Sequence, residues 1–103
     1  MRLDKFLQVS GLIKRRVLGN EACDRGLVNV NGVRAKPTRE VKSGDVIDLH
    51  LPFREVSVRV LQELTSGTMR KSDRPKYLET LRDEPRKPTQ DESWWEDDPV
   101  DQH

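Results

Sequence analysis

The segment from Leu12 to Gly32 constrains the fold of this chain more than any other segment. Its first half predicts a helix that begins at three consecutive basic residues, Lys14, Arg15 and Arg16. Gly26 follows that helix, and glycine readily takes the left-handed conformation that ends one. Val28 and Val30 flank a polar residue as in a short strand, and Asn31-Gly32 is the typical turn of a two-residue hairpin. The segment therefore predicts a basic helix, an abrupt stop and a β-hairpin.

The flanking segments supply the rest of a small α+β domain. A first helix is predicted over residues 2–8, because apolar residues recur there at helical spacing, at Leu3, Phe6 and Leu7. Asp4 lies off this apolar face, suits the positive end of the helix, and is placed to hold a nearby arginine. Further strands are predicted where aliphatic residues alternate or recur, over residues 33–36, 46–51 and 56–60. The expected core is the aliphatic face of an antiparallel sheet packed on two helices.

The C-terminal third is predicted to differ from this domain, which is expected to occupy residues 1–62. Residues 63–83 predict a basic loop and a short helix, with proline in its first turn and one apolar side made of Tyr77, Leu78 and Leu81. Residues 84–103 contain three prolines and no periodicity, which predicts a disordered acidic tail. Its two tryptophans, Trp94 and Trp95, leave open whether the tail docks on a partner, folds back on the basic domain, or stays solvated.

Charge is distributed unevenly, although the net charge of the chain is only +1. Residues 1–50 carry ten Lys/Arg against six Asp/Glu, and residues 51–82 carry seven against four, so the body has a net charge of +7. Residues 83–103 carry two against eight, a net charge of −6. A basic domain favours an anionic partner, and nucleic acid is the usual one. The alternative is a solvated surface with incidental positive charge.

Several classes of function find no support in the sequence. Cys23 is the single cysteine, which excludes an internal disulfide and a cysteine-rich zinc site and suggests a small helix residue rather than a reactive thiol. His50 and His103 have no adjacent nucleophile pattern, and there is no glycine-rich cofactor loop. No apolar run approaches the ~20 residues of a membrane span, and the N-terminus does not resemble a signal peptide. We therefore expect a cytoplasmic protein without catalytic group, metal, cofactor or membrane partner.

Four separated blocks resemble the S-four RNA-binding domain, also called the alpha-L motif: RLDKFL, IKRRVLGNEACDRG, VNVNG and VKSGDVIDL. The resemblance covers about residues 1–60. It implies two helices packed on a small antiparallel sheet, in agreement with the pattern analysis, and the binding of structured ribosomal RNA. The sequence departs from the family pattern at Gly19-Asn20, two residues that weaken a helix by roughly 1 kcal/mol.

The candidate RNA-binding residues centre on the start of the second helix. Arg16 lies about 140° around that helix from the face shared by Leu18 and Ala22, so it should point outward. Basic residues at a helix N-terminus oppose its dipole, and a bound phosphate would relieve that conflict. The resemblance implies that Arg2 and Asp4 join Arg16 at an RNA and tRNA interface. The full candidate set is Arg2, Asp4, Lys5, Lys14, Arg15, Arg16, Asn31 and Lys36.

The short chain and its opening MRLDKFL resemble the stand-alone bacterial members of the family of the RqcP type. This likeness implies a monomer that binds large-subunit ribosomal RNA and peptidyl-tRNA on a blocked large subunit. There it would support an RqcH-type partner that adds alanine to the stalled chain. The second likeness, the heat-shock protein HslR, implies recycling of such subunits without alanine tailing. A third hypothesis gives the function to the acidic, tryptophan-containing tail.

Overall fold

The helices and strands follow the predicted order over most of the chain. The computed structural model describes residues 1–52, 54–63 and 71–85. Within those ranges the helices are α1 (Leu3–Val9), α2 (Arg16–Asp24) and α3 (Arg74–Tyr77), and a 3-10 turn over Lys71–Asp73 precedes α3. The strands are β1 (Val28–Val30), β2 (Val33–Arg34), β3 (Val46–His50), β4 (Arg54–Val60) and β5 (Leu78–Pro85).

The strands form one antiparallel sheet in the order β2-β1-β3-β4-β5. Its buried face is built from aliphatic cross-strand neighbours, because Leu49 of β3 pairs with both Val28 and Val56, and Ile47 pairs with Val58. These side chains are at most 3% exposed. The intervening residues point to the opposite, more polar face, so the alternation in the sequence correctly predicted which residues form the core.

Helices α1 and α2 pack on each other and close the core, which confirms the predicted α+β fold. Leu3, Phe6 and Leu7 of α1 are at most 1% exposed, as their spacing predicted. Ala22 of α2 is fully buried beside them in the same hydrophobic cluster. About 25 cal/mol is gained for each Å² of apolar surface removed from water, so this cluster is the main source of stability.

Backbone conformation confirms both predicted chain reversals. Gly26 has φ +77°, and the amide of Leu27 donates to the carbonyl of Ala22, a bond typical of a helix that ends at glycine. Asn31 and Gly32 both have positive φ, 55° and 82°, as a type I′ hairpin turn requires. The turn returns the chain as β2, which is shorter than the predicted strand over 33–36, and the next residue, Ala35, is buried in the core.

The prediction for the C-terminal segment needs correction. The short helix exists, but it ends at Tyr77, and Leu78 and Leu81 belong to β5. β5 pairs along the whole of β4, from Val60 opposite Leu78 to Arg54 opposite Pro85, and thereby satisfies a row of β4 backbone groups that would otherwise be unpaired. Residues 84 and 85, predicted as the start of the tail, are also in this strand. The remaining tail and most of the predicted basic loop lie outside the described residues.

A loop after the hairpin is joined to the start of α1. The amide of Leu3 donates to the carbonyl of Arg39 at 2.7 Å, and the amide of Asp4 donates to the carbonyl of Pro37 at 3.1 Å. Arg2 forms an isolated bridge with Glu40. These bonds use amides that α1 cannot satisfy internally, and they fix the start of α1 relative to the hairpin.

Candidate RNA interface

Asp4 is the centre of the candidate interface, and it is buried rather than exposed. Although it lies off the predicted apolar face of α1, its residue exposure is 1%, because α2 covers it. One carboxylate oxygen, Oδ2, accepts hydrogen bonds from Arg2 Nη2 at 3.1 Å and Asn20 Nδ2 at 3.2 Å, and Arg16 Nε lies 3.2 Å away. The other oxygen, Oδ1, accepts from the amide of Lys5 at 2.7 Å. One buried carboxylate therefore joins the two helices.

The donors around Asp4 keep it charged. Burial alone raises the pKa of this carboxyl, because water no longer stabilises the anion. Hydrogen bonds from Arg16, the Lys5 amide and Asn20, together with the positive charge of Arg16, outweigh burial and hold the pKa of Asp4 below its ordinary value. Asp4 is therefore an anion at neutral pH, and an anion in this position needs those donors to be stable.

Arg2 and Arg16, here called the arginine pair, stand half-exposed above this carboxylate. Their side chains are 49% and 43% exposed, against 1% for Asp4. Arg2 reaches Asp4 through one terminal nitrogen and Arg16 reaches it through Nε, and a guanidinium has five N–H donors in a fixed plane. The three groups together carry a net charge of +1. A ligand that approaches this surface meets two cations, while the anion that holds them lies beneath.

Three further predicted residues surround the pair. Lys5 lies on α1 next to Asp4, and Lys14 and Arg15 immediately precede α2. The side chains of all three are exposed. Arg15 occupies the N-cap position with extended backbone, at φ −119° and ψ 138°. Together with the arginine pair they make the helical face basic, as the sequence predicted, but Asp4 contributes by holding the pair rather than by offering its own surface.

The other two predicted residues belong to the hairpin turn and to the loop that follows the hairpin. Asn31 closes the corner between the hairpin and β3, because its side-chain amide donates to Asp45 at 3.0 Å and its oxygen accepts from the amide of Val46 at 3.0 Å. Lys36 is exposed at the edge of a groove beside the end of α2. The groove has a volume of about 420 Å³ and is lined by Cys23, Asp24, Arg34, Ala35, Lys36, Pro37 and Thr38. The structure thus does not bring Asn31 into the arginine cluster.

Asn20 is the residue that sequence reasoning undervalued. It was predicted only to weaken α2, together with Gly19. In the structure its side-chain amide reaches Asp4 and also donates to the carbonyl of Arg16 at 3.0 Å. A Cβ at Gly19 would meet α1 at 3.7 Å, an ordinary contact, so the helices run close together here. The spacing of four residues from Arg16 to Asn20 was the available signal, since it places both on one side of a helix.

The Cys23 thiol and the candidate metal ligands of the described ranges give no further site. Burial raises the pKa of the Cys23 thiol to about 11, with a further contribution from Asp24 and Asp4, so this thiol stays protonated, as expected of a small helix residue. Across residues 1–52, 54–63 and 71–85 no group of three His, Cys, Asp or Glu side chains is placed to hold a metal ion. No helix in the same ranges has the length and apolar character needed to span a membrane.

Comparison with known proteins identifies a matching family and similar folds. Residues 1–47 match the S4 domain family. The RQC P-site tRNA stabilizing factor of Helicobacter pylori strain J99 is 46% identical over 78 residues, which are 76% of this chain and 93% of that protein. The solution structure of hypothetical protein HP1423 superposes with a TM-score of 0.69 at 40% identity, over 80% of this chain and 98% of that one. Trimeric heat shock protein 15 of Vibrio cholerae gives a TM-score of 0.69 at 26% identity, over 78% and 80%.

The fold and the basic helical face thus define a small RNA-binding protein of the S4-domain class. Sequence identity over nearly the full length of the relative narrows this class further. The chain belongs to the family of S4-domain proteins that includes the RQC P-site tRNA stabilizing factors.

Proposed function

We propose that this protein is a ribosome quality control factor that binds large-subunit ribosomal RNA and peptidyl-tRNA through its basic helical face. The observation that carries the proposal is the arginine pair, two half-exposed guanidinium groups held by the single buried carboxylate of Asp4. The Helicobacter pylori relative is named for the stabilisation of a P-site tRNA, which supports the same kind of ligand for this chain.

The arginine pair suits the backbone of folded RNA. A-form RNA presents phosphates and 2′-hydroxyls over a shallow minor groove, and proteins recognise it mainly by shape and backbone contacts. Arginine binds phosphate through two parallel hydrogen bonds, and a side chain that is already anchored loses less conformational freedom on binding. Lys5, Lys14 and Arg15 add attraction that falls as salt rises. The interface therefore fits two RNA backbones that are held side by side better than it fits an exposed single strand.

The protein acts in this scheme by positioning its ligands, without a catalytic group or cofactor. A factor that contacts both ribosomal RNA and tRNA stabilises the one placement of the tRNA in which both contacts are made. An RqcH-type partner in the cytoplasm would use that placement while it adds alanine to the stalled chain. We propose a monomer as the functional unit, although the Vibrio cholerae heat shock protein 15 structure is described as trimeric.

The test is a deletion strain that carries a stalling reporter. Loss of the protein should abolish or sharply reduce C-terminal alanine tails on the reporter, and restoring the gene should return them. The protein should sediment with free large subunits that carry peptidyl-tRNA, and not with small subunits. The Arg2→Ala/Arg16→Ala double variant should fail to restore tailing when it is expressed at the same level.

The alternative function, subunit recycling without tailing, predicts a different result. Alanine tails would persist in the deletion strain while large subunits blocked by peptidyl-tRNA accumulate. The fold is shared with heat shock protein 15. The tRNA stabilizing factor matches at 46% identity over 93% of its length, whereas a heat shock protein 15 homologue of Aeromonas salmonicida matches at 39% identity over 47% of its length, and this difference in coverage favours tailing.

A further inference from the structure

Asn20 closes a ring of contacts around the arginine that starts α2. Arg16 Nε lies 3.2 Å from Asp4 Oδ2, and Asn20 Nδ2 lies 3.2 Å from the same oxygen. The same Asn20 nitrogen donates to the backbone carbonyl of Arg16 at 3.0 Å. The ring thus runs from the Arg16 guanidinium through Asp4 and Asn20 back to the Arg16 backbone. The Arg16 guanidinium thus contacts the buried carboxylate directly, and the Arg16 backbone carbonyl is linked to the same carboxylate through Asn20.

The chemistry of the amide explains what this ring adds. A side-chain amide nitrogen has two N–H donors, and here each has an acceptor. An uncharged donor fixes Asp4 Oδ2 without adding a third cation beside the arginine pair. A free arginine side chain has considerable rotamer entropy, which it loses when it binds a ligand in one direction. A ring that limits this freedom in advance reduces the loss at the moment of binding.

The low helix propensity of Gly19 and Asn20 also indicates that Asn20 has a role other than stabilising α2. Gly19 and Asn20 are poor helix formers, so they weaken α2 relative to stronger helix formers at the same positions. Asn20 is only half-buried and contributes no apolar surface to the core cluster. Its contacts to Asp4 and to the Arg16 carbonyl are the interactions that offset this loss of helix stability.

We propose that Asn20 is a positioning residue that sets the direction of the Arg16 guanidinium, so that the interface prefers folded ribosomal RNA over an unstructured polyanion. The inference rests on the proposed function and adds the origin of its selectivity. Charge alone attracts any nucleic acid, since the release of counterions does not depend on the shape of the ligand. A guanidinium held in one direction discriminates, because only a phosphate in the matching place receives its hydrogen bonds.

The test uses Asn20→Leu, which keeps the charge and approximate volume and removes both donors. The control is Gln8→Leu, which makes the same kind of change on the exposed part of α1. Binding is measured with two probes, purified large ribosomal subunits that carry peptidyl-tRNA, and poly-uridine at low salt. For Asn20→Leu we expect about tenfold weaker binding to the subunits, the equivalent of one hydrogen bond to a charged group. Binding to poly-uridine should stay within about twofold, because no charge is lost, and Gln8→Leu should match the wild type with both probes.

A spectroscopic measurement separates positioning from general stability. The Arg16 Nε proton, followed by NMR, should exchange faster with water in Asn20→Leu, and the pKa of Asp4 should rise because the anion loses a donor. Binding is compared well below the unfolding temperature of each variant. If Asn20→Leu does not fold, Asn20→Ser replaces it, since a shorter side chain cannot bridge both acceptors.

Three outcomes would overturn the inference. Asn20→Leu could bind large subunits as tightly as the wild type, it could lose affinity equally for both probes, or its Arg16 Nε proton could be unchanged. A failure of the proposed function is distinguishable, because then Arg16→Ala would also leave subunit binding unchanged.

Discussion

The helical face and the β4–β5 edge of the sheet both carry arginines, but the two regions differ in how these arginines are paired with carboxylates. On the sheet, Arg54 donates to Asp83 at 2.8 and 3.2 Å, and Arg59 donates to Glu79 at 3.3 Å. Each of these arginines has its own carboxylate, and the two partners are about equally exposed, at 44% to 50%. On the helical face two arginines share Asp4, which is buried.

We propose from this comparison that the placement of carboxylates, more than the number of arginines, decides which surface of the protein binds RNA. An exposed carboxylate beside each arginine neutralises the surface and repels phosphate, so the sheet edge offers little to a polyanion. A single buried carboxylate orders two arginines and leaves an excess of positive charge outside. Exposed pairs contribute about 0–1 kcal/mol to stability, whereas removal of a partner from a buried charge costs more.

The largest effect on stability is expected for Asp4→Asn. The new amide group would place N–H donors against the Lys5 amide or against the arginine pair and Asn20, so at least one buried polar contact is lost. We expect a loss of about 2 kcal/mol in the free energy of unfolding, or roughly 8–16 °C in melting temperature. Arg54→Ala, which breaks an exposed pair on the sheet, should cost roughly 0.5 kcal/mol. Equal losses in thermal denaturation would contradict the distinction between the two regions.

Arg16→Ala should weaken RNA binding and also lower stability. An outward position alone would predict no change in stability, but the contact of Arg16 with buried Asp4 changes that expectation. We expect about 1–3 kcal/mol less binding free energy for large subunits and about 1 kcal/mol less unfolding free energy. Isothermal titration and thermal denaturation measure the two quantities. An unchanged affinity together with a large loss of stability would assign Arg16 a purely structural role.

A structural feature could be predicted from the sequence when neighbouring residues determine it, and could not be predicted when residues distant in the chain determine it. The apolar spacing in α1, the stop at Gly26 and the Asn31-Gly32 turn are local, and the structure confirms all of them. β5 was missed because its strand conformation depends on the free edge of β4, which lies about twenty residues earlier in the chain.

The candidate site shows the same limit. The outward exposure of Arg16 followed from the helical period, whereas the burial of Asp4 depends on α2 lying across α1. The function of Asn20 depends on the same packing, and neither helix alone reveals it. The sequence placed Asp4 where it can hold a nearby arginine, and the structure was needed to show that one buried oxygen of Asp4 holds both Arg2 and Arg16.

Acid should remove part of the difference between the two regions. The folded pKa of Asp4 is below its ordinary value of 3.8, so the folded state favours the anion more than the unfolded state does. This contribution is fully present above the ordinary pKa and is lost as the pH falls through the lower, folded value. The stability difference between the wild type and Asp4→Asn should therefore shrink below pH 3.8. A difference that stays constant down to acid unfolding would show that the charge of Asp4 is not what stabilises the site.

The smallest effect concerns the acidic tail. Residues 86–103 carry two Lys/Arg against six Asp/Glu, and the excess positive charge on the helical face is their natural counterpart. Removal of these residues should increase non-specific RNA affinity at low salt by a fewfold, and the gain should fade as salt is raised. Fluorescence anisotropy with poly-uridine measures both effects. No gain at low salt would show that the tail does not screen the basic surface.

The most direct test compares two double variants that each remove two positive charges. Arg2→Ala/Arg16→Ala removes the arginine pair, and Arg54→Ala/Arg59→Ala removes two arginines of the sheet edge. Binding to purified large subunits that carry peptidyl-tRNA should weaken about 100-fold for the first variant, the sum of two charge-assisted contacts, and stay within about threefold for the second. Equal weakening would contradict the account, because RNA would then respond to total charge and not to the arginines that Asp4 holds.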